Sequence, residues 1–233
     1  MGRPVELTGW PRRGVGVRSG GRSRPPKGET RNMGKISLER NALLAPVPVV
    51  LLSCVGETGS PSVLTVSWVS VVCATPPMVG VAIREERFSY ALLRETGEFV
   101  LNIPPASLLR AVDFCGTASG ESVDKLLQAK LTPVPAAKVR PPLIAECPIN
   151  LECVVRQALP LGSHVLFLAE VAALHADAEV VEDGVIVLGR VAPLTYDPFG
   201  GDYWNLKEVV AHHGFSEGTM PERVEKKQIQ QRK

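Results

Sequence analysis

The chain contains no apolar segment long enough to cross a lipid bilayer. A spanning helix needs about 20 consecutive apolar residues, and the longest candidate, residues 42–53, is interrupted by Pro46 and Pro48. The sequence also has no apolar stretch of the kind that directs secretion. Its 45% hydrophobic and 21% charged residues are ordinary for a globular protein. We therefore expect a cytoplasmic protein without a membrane partner.

Cysteine is sparse and shows no functional spacing. The five cysteines form no Cys-x-x-Cys pair and no pattern spaced with histidine. The missing pairs argue against a structural zinc site, and the odd number argues against a complete disulfide framework. We expect reduced, buried thiols and no bound metal.

The signatures of several enzyme classes are missing as well. No Gly-x-Gly-x-x-Gly follows a strand pattern and opens a helix, so any nicotinamide cofactor would bind without the Rossmann fingerprint. No ordered Ser, His and Asp set, no pair of catalytic carboxylates and no nucleophilic cysteine motif is present. A redox function would therefore depend on a cofactor that carries the chemistry.

The net charge of +2 hides an uneven distribution. Residues 1–35 contain nine Lys and Arg against two Glu, and residues 221–233 contain five against two. The segment between them is consequently acidic, with a net charge of −8. Because phosphate binding needs a basic face, this acidic body disfavours nucleic acid as a partner.

Composition divides the chain into three parts. Residues 1–35 are rich in Arg, Gly, Pro and Ser without helical or strand periodicity, which predicts a disordered basic N-terminal extension. A start codon assigned too early, with Met33 as the true start, explains them equally well, and a transit peptide is a weaker alternative. Residues 36–216 form the predicted folded domain, followed by a basic tail over residues 217–233.

The folded part is predicted to consist mainly of strands. Residues 47–55 and a run beginning at Val63 are separated by a Gly-rich turn, which indicates a β-hairpin. Hairpin-connected strands with few helices indicate an antiparallel barrel rather than a doubly wound parallel sheet. Further strands are expected at residues 79–83, 99–103, 149–157 and 164–174.

Short helices are expected between the strands and after them. Ser89 is the predicted N-cap of a helix over residues 89–96 that ends at Gly97. Apolar spacing predicts another helix over residues 107–115. Further helices are expected at residues 122–129 and 206–212. The fold class is thus mainly β (α+β), with short inserted and C-terminal helices.

Residues 65–70 combine side chains that suit the binding of a flavin ring. Such a ring needs an apolar wall, hydrogen-bond partners at its pyrimidine edge and small residues where the backbone approaches. The segment offers hydroxyls, a β-branched residue and an indole. On residue types alone, a half-buried edge strand with solvated hydroxyls is the commoner explanation.

Several ordered segments together resemble a known family. Residues 65–77 lead through a β-branched run into Arg87-Phe88-Ser89-Tyr90, and residues 115–120 and Asp124-Lys125 follow. In this order, over about residues 40–216, the chain resembles the flavoredoxin branch of the flavin reductase family, whose members bind FMN. The resemblance implies an antiparallel split β-barrel. It also implies FMN ring contacts, largely through backbone groups, at Thr65, Val66, Ser67, Trp68 and Ser70.

The resemblance implies that two further segments bind the phosphate of FMN. Arg87 and Ser89 begin a predicted helix, where guanidinium, backbone N–H groups and the helix dipole favour an anion, although Arg-x-Ser is also an ordinary solvated helix start. Ser119, Gly120 and Lys125 form the second segment. Similar sequences usually read Ser-Gly-Arg-Asp-x-Asp-Lys-Phe there. This chain departs from that pattern with Glu121 and Leu126.

His164 is the candidate catalytic residue. Residues 162–167 match a Gly-x-His-x-Leu-Phe strand in which, in reductase members, the histidine lies near the flavin and the incoming nicotinamide. Without the resemblance, a purely structural histidine in the core or at a sheet edge is the more common interpretation. Tyr203 and Trp204 match an aromatic pair that either covers the flavin in a dimer or anchors the last helix.

Taken together, the resemblance implies a homodimeric FMN-binding oxidoreductase. It would pass reducing equivalents from NAD(P)H through flavin to an acceptor, which could be a redox partner protein. One alternative is a flavoredoxin-type electron carrier that holds FMN tightly and does not turn over NAD(P)H. A third possibility is a related split barrel that binds another flavin-like cofactor or none.

Overall fold

The computed structural model describes residue 36, residues 44–206 and residues 208–218. The predicted N-terminal extension lies outside these residues, as does the predicted C-terminal tail beyond residue 218. The strands are β1 (Val47–Pro48), β2 (Val50–Val55), β3 (Pro61–Val66), β4 (Val69–Cys73), β5 (Met78–Ile83), β6 (Glu98–Ile103), β7 (Pro133–Val134), β8 (Leu143–Ile144), β9 (Ile149–Pro160), β10 (Val165–Ala176), β11 (Val181–Glu182), β12 (Val185–Ile186), β13 (Leu194–Asp197) and β14 (Asp202–Asn205). The helices are α1 (Phe88–Thr96), α2 (Leu109–Thr117), α3 (Lys125–Gln128) and α4 (Leu188–Val191). Single 3-10 turns lie at Ala106–Leu108, Ala178–Val180 and Phe215–Glu217.

One antiparallel sheet organises the domain, in the strand order β3-β2-β6-β9-β10-β5-β4. Its two edge strands, β3 and β4, follow each other in the chain with only Ser67 and Trp68 between them. So short a link requires the two edges to come together, which curls the sheet into a barrel. Within the described residues β3 and β4 do not pair, so the wall stays open there. This is the antiparallel split barrel expected from the sequence.

Both faces of the sheet are covered near β2 and β3. Every residue of β2 is buried, because one side of the strand faces the barrel interior and the other side faces α2. Leu52 and Phe99 belong to the interior cluster, whereas Leu51 packs with Val112 and Cys115 of α2 in a second cluster. Helix α2 thus lies directly behind β3 and fixes that edge strand in place.

Three local predictions need correction. The N-cap of α1 is Arg87, and Ser89 lies inside the first turn, 2% exposed. The strand that begins near Val63 was expected to continue through residues 65–70. It ends at Val66 instead, and the chain crosses at Ser67 to the opposite edge of the sheet. The helix expected over residues 206–212 is wrong, since the described residues there are irregular. The hairpin β13–β14 and the turn at Phe215–Glu217 occupy this end instead.

The remaining elements follow the apolar pattern closely. The hairpin β2–β3, the strands β5, β6, β9 and β10, and helix α1 all lie where the sequence predicts them. Gly97 ends α1 with φ of 65°, a left-handed conformation that favours glycine. Within the described ranges, no helix has the length and hydropathy that crossing a membrane requires.

Candidate functional site

A cleft opens at the split between β3 and β4. It has a volume of about 300 Å³. Its lining residues are Leu64, Thr65, Val66, Ser67, Trp68, Ala82, Ile83, Arg84, Arg87 and His164. Because β3 pairs only with β2 among the described strands, backbone N–H and C=O groups on its outer side are available to a ligand. We call this space the ring cleft.

The side chain of Thr65 faces away from the ring cleft. Its hydroxyl donates to the carbonyl oxygen of Val112 in α2. Helix α2 approaches closely enough that a Cβ on Gly116 would lie 3.3 Å from the Thr65 Cβ. The Thr65 hydroxyl is therefore already used by α2, and the outer backbone groups of this residue stay available at the cleft.

Ser70 lies apart from the other four ring-contact candidates. It is exposed on β4, and its hydroxyl donates to the carbonyl oxygen of Val71 at 3.2 Å. It lines a separate, mostly apolar cavity of about 300 Å³ on the outer side of Trp68. Only Ser67 and Trp68 line both this cavity and the ring cleft.

Trp68 and His164 form one wall of the ring cleft. Their ring centroids are 4.2 Å apart with an interplanar angle of 33°. The Ser163 hydroxyl lies 2.9 Å from His164 Nδ1 and fixes the imidazole orientation. Burial lowers the pKa of His164, the charge of Arg84 lowers it further, and Glu86 opposes these effects. This lowered pKa favours the neutral imidazole.

The depressed pKa of His164 predicts a fluorescence titration. Protonated imidazole quenches a neighbouring indole, so Trp68 emission should fall as pH is lowered. Because the pKa is lowered, the midpoint should lie below the ordinary histidine value of about 6.5. His164→Gln should abolish this transition, and Trp68→Phe should remove the signal. A midpoint at or above the ordinary value would contradict the assigned environment.

A smaller pocket of about 100 Å³ adjoins the ring cleft. The two spaces share Leu64 and Arg87. The other lining residues are Glu86, Phe88, Ser89, Ala118, Ser119, Gly120 and Lys125. All five predicted phosphate-binding residues therefore converge here, although they lie on separate segments of the chain. We call this space the phosphate pocket.

Lys125 is a buried cation at the phosphate pocket. It is 4% exposed, and its Nζ donates to the carbonyl oxygen of Cys115 at 2.8 Å. Burial lowers its pKa; the neighbouring thiols of Cys115 and Cys54 oppose this shift, and the charge of Arg87 adds to it. Among the described residues, no ion pair involves either cation. An anion placed between them would relieve both the desolvation and the repulsion.

The N-terminus of α1 contributes to the same pocket. Arg87 caps the helix only through its backbone, so its guanidinium is not used in a cap bond. The positive end of the nine-residue helix dipole therefore adds to the two cations. The Ser89 side chain hydrogen-bonds to the Cys54 thiol, whose pKa burial raises to about 12. That thiol stays protonated and is not a nucleophile.

The turn before α3 explains why the Ser-Gly and Asp-Lys pairs stand where they do. A Cβ on Gly120 would lie 2.6 Å from Ser62 Oγ and 2.9 Å from Phe88 Cδ1, so any larger residue would force these side chains to shift. Asp124 caps α3 by accepting a hydrogen bond from the Leu127 N–H at 3.0 Å. The departure at Leu126 fills the second core cluster, whereas Glu121 is exposed.

The aromatic pair Tyr203 and Trp204 lies near the end of the domain, and its two members have different environments. Tyr203 donates from its hydroxyl to Asp113 Oδ1 in α2 at 3.2 Å and packs against Tyr196 with centroids 5.3 Å apart. It thus anchors the β13–β14 hairpin on α2. Trp204 is 60% exposed and contacts neither the ring cleft nor the phosphate pocket.

Sequence reasoning missed seven lining residues, namely Leu64, Ala82, Ile83, Arg84, Glu86, Phe88 and Ala118. Leu64 and Arg84 line the ring cleft, and Glu86 lines the phosphate pocket. The charged run from Arg84 to Arg87, between a strand and a helix start, was the available signal, because such junctions gather polar groups at a site.

Comparison with known proteins establishes the relationship. The family described as "Flavin reductase like domain" matches residues 43–200. This chain belongs to the flavin reductase-like family. Flavoredoxin of Desulfovibrio vulgaris (Miyazaki F) is 28% identical, with a TM-score of 0.74 over 79% of this chain and 100% of that one. Flavoredoxin from Methanosarcina acetivorans is also 28% identical, with a TM-score of 0.72 over 78% and 98%.

An uncharacterized protein of Archaeoglobus fulgidus is 40% identical over 119 residues, which cover 51% of this chain and 67% of that protein. The family resemblance expected from the sequence is thus confirmed. Membership of the family, with the flavoredoxin likeness, supports a flavin-binding, oxidoreductase-type function.

Proposed function

We propose that the protein binds FMN and passes reducing equivalents from NAD(P)H through the flavin to an acceptor, in the cytoplasm. One observation carries the proposal. The ring cleft and the phosphate pocket are continuous at Leu64 and Arg87, and the pocket holds two cations that pair with no described carboxylate. This arrangement suits a planar ring joined to a phosphate tail.

The residues of the two spaces fit the flavin in separate ways. The outer backbone groups of residues 64–67 can donate to and accept from the polar edge of the ring. Arg87, Lys125 and the N-terminus of α1 would hold the phosphate. Ser119 and Gly120 shape the turn that keeps Lys125 in place. Because these backbone groups supply the hydrogen bonds, the β3 side of the ring cleft needs no charged side chain to bind the ring.

A bound flavin would supply the hydride and electron transfer that no side chain here provides. The protein's contribution is positioning. Trp68 and His164 form a wall on which a nicotinamide could rest against the ring, and the lowered pKa of His164 favours its uncharged form there. We assign His164 this positioning role at the nicotinamide side of the cleft, with Arg84 beside it.

The absorption spectrum of the purified protein, followed by anaerobic titration with NADH and with NADPH, tests the proposal. We expect a visible flavin spectrum after FMN is added and bleaching of that spectrum by one of the two donors. A protein that keeps its flavin through dialysis but is bleached by neither donor would instead be an electron carrier of the flavoredoxin type. A protein that binds no flavin would overturn both assignments.

We further propose that the protein acts as a homodimer. Edge strand β4 exposes Val71 at 76% and Val72 at 49%, and the C-terminal segment exposes Val209 at 75% and Phe215 at 69%. Val71 and Val72 lie on an edge strand that pairs only with β5 among the described strands, and exposed apolar side chains on such an edge are typical of a surface that another chain covers.

The dimer predicts that Val71→Arg will shift the protein toward monomer in sedimentation velocity at micromolar concentration. Leu174→Arg is the matched control, because Leu174 is 57% exposed on β10. A wild-type monomer that still holds FMN at nanomolar protein would contradict the proposal.

A further inference from the structure

Arg84 is a cation at the ring cleft that the flavin phosphate does not use. It lines the ring cleft but not the phosphate pocket, where Arg87 and Lys125 already face the phosphate. Within the part of the chain that the structure describes, Arg84 makes no ion pair. Its guanidinium therefore has donors to offer to an anion that enters the cleft.

The register of the sheet places Arg84 beside the proposed nicotinamide wall. Strand β5 ends at Ile83, which pairs with Val165 of β10 in an antiparallel ladder. Continuing this register by one residue sets Arg84 opposite His164, and residues directly opposite each other project to the same face of a sheet. The charge of Arg84 also contributes to the lowered pKa of His164, as this proximity requires. Arg84 thus stands next to the wall formed by His164 and Trp68.

The ring cleft is a positive region on an acidic domain. The charged residues that line it are Arg84 and Arg87, and no carboxylate lines it. The adjacent acids have other positions: Glu85 accepts a hydrogen bond from the Tyr90 hydroxyl at 3.5 Å, and Glu86 lines the phosphate pocket. Because residues 36–220 carry a net charge of −8, an anionic ligand is attracted to this cleft and repelled from most of the remaining surface.

FMN alone leaves Arg84 without an anionic partner. The flavin has a single phosphate, which lies in the other pocket, and its oxidised ring is uncharged. A nicotinamide dinucleotide brings a second anion, because a ribose joins its nicotinamide to a pyrophosphate. With the nicotinamide against His164 and Trp68, the pyrophosphate would lie at the mouth of the cleft, where Arg84 is exposed. The planar fork of an arginine suits two phosphate oxygens at once.

We propose that Arg84 binds the pyrophosphate of the nicotinamide donor and thereby holds the nicotinamide on the wall of the ring cleft. The inference rests on the proposed function, because it requires a nicotinamide dinucleotide as donor. The competing anion is the ring of the reduced flavin, which carries a negative charge. The two assignments differ in their dependence on the donor's phosphates.

Calorimetric titration of FMN-loaded protein with tetrahydro-NADH and tetrahydro-NADPH tests the inference. These analogues keep the pyrophosphate, but their saturated rings cannot transfer hydride. We expect Arg84→Gln to weaken binding of the analogue by about 10-fold, through loss of a charge-assisted hydrogen bond. Arg84→Lys keeps the charge but loses the fork, so its loss should be smaller, about threefold. Both variants should bind FMN within about twofold of wild type, because Arg84 lies outside the phosphate pocket.

Arg110→Gln is the matched control. Arg110 is also an exposed arginine, and it lines none of the described cavities. Its removal lowers the net charge by the same amount, so it reports the general attraction of the protein for an anion. We expect this variant to bind the analogue within about twofold of wild type, because exposed charges at a distance are screened.

A donor without phosphate separates binding from ring chemistry. N-benzyl-1,4-dihydronicotinamide contains the reactive ring but no pyrophosphate. We expect it to bleach the flavin at the same rate in wild type and in Arg84→Gln. NADH or NADPH should need about a 10-fold higher concentration for half-maximal bleaching in the variant.

The outcomes separate the inference from the proposed function. Analogue binding within about twofold of wild type in Arg84→Gln would overturn the inference alone. Equal slowing with the phosphate-free donor would also overturn it, because Arg84 would then act on the flavin ring. A loss confined to the NADPH analogue would assign Arg84 to the 2′-phosphate instead of the pyrophosphate. Wild-type protein that binds FMN but neither analogue, and is bleached by no donor, would overturn the donor proposal itself.

Discussion

Replacing Lys125 by methionine should weaken FMN binding by about 10- to 150-fold while leaving riboflavin binding within about twofold. A charge-assisted hydrogen bond contributes about 1.5–3 kcal/mol, which gives this range. Methionine preserves the apolar stem that packs at the 4% exposed site. Riboflavin lacks the phosphate, so it reports any general damage to the ring cleft. Arg87→Ala should give the same selective loss.

The control for charge is Lys138→Met, since Lys138 is exposed and lines none of the described cavities. Raised salt should weaken FMN binding to wild type more than to Lys125→Met, because part of the attraction is screened. Equal losses of affinity for FMN and for riboflavin in Lys125→Met would show that Lys125 does not bind the phosphate.

The lowered pKa of Lys125 adds a pH signature to the same experiment. Burial first, and then the charge of Arg87, favour the neutral amine, so Lys125 loses its proton at a lower pH than a solvated lysine. FMN affinity should therefore decline with rising pH before the ordinary lysine value of about 10.4 is reached. Lys125→Met should lack this decline.

The largest effect on stability is expected at Glu152, a fully buried carboxylate on β9. It accepts hydrogen bonds from the backbone N–H groups of Ala137, Lys138 and Val139 and from His175 Nε2 at 2.6 Å. These bonds hold the segment before β8 against the sheet. Glu152→Ala should lower the free energy of unfolding by about 3–5 kcal/mol, because it leaves several polar groups without their buried partner.

Glu152 should also make stability depend on pH. Burial alone would raise the pKa of this carboxyl, but the hydrogen bonds from Ala137, His175, Lys138 and Val139 lower it overall. A carboxyl with a lowered pKa contributes stability above its unfolded pKa, and that contribution is lost as pH falls through the folded value. Urea unfolding of wild type should therefore lose stability below about pH 4.5, and Glu152→Gln should lose less.

Arg140→Gln is the control for this region. Arg140 pairs with Glu98 at 3.2 Å and is well exposed, so its loss should cost at most about 1 kcal/mol. A Glu152→Ala variant as stable as Arg140→Gln would contradict the role given to the buried carboxylate.

The sequence predicted the elements whose patterns are set by local burial. Apolar residues alternate or follow one another along strands β2, β5, β6, β9 and β10 because these strands contribute side chains to the barrel interior. The ordered motifs also predicted which segments supply the phosphate pocket. Arg87 and Lys125 meet there although they lie far apart in the chain, and only the order of motifs, not any local pattern, carried that information.

Other features depended on tertiary contacts that a sequence does not display. Nothing local shows that the Thr65 hydroxyl is taken by Val112, or that Ser70 falls on the far side of Trp68. The first follows from the packing of α2 on β3, and the second from the crossing of the chain to the opposite sheet edge after Val66. The described residues between 206 and 212 are exposed, so the predicted helix there gains no support from packing.

The measurement that bears most directly on the central claim is a crystal structure of the protein with FMN bound. The account predicts the phosphate within hydrogen-bond distance of Lys125 Nζ and the Arg87 guanidinium, and the ring along the backbone of residues 64–68. A flavin in the cavity on the outer side of Trp68, or one whose phosphate contacts neither Arg87 nor Lys125, would contradict it.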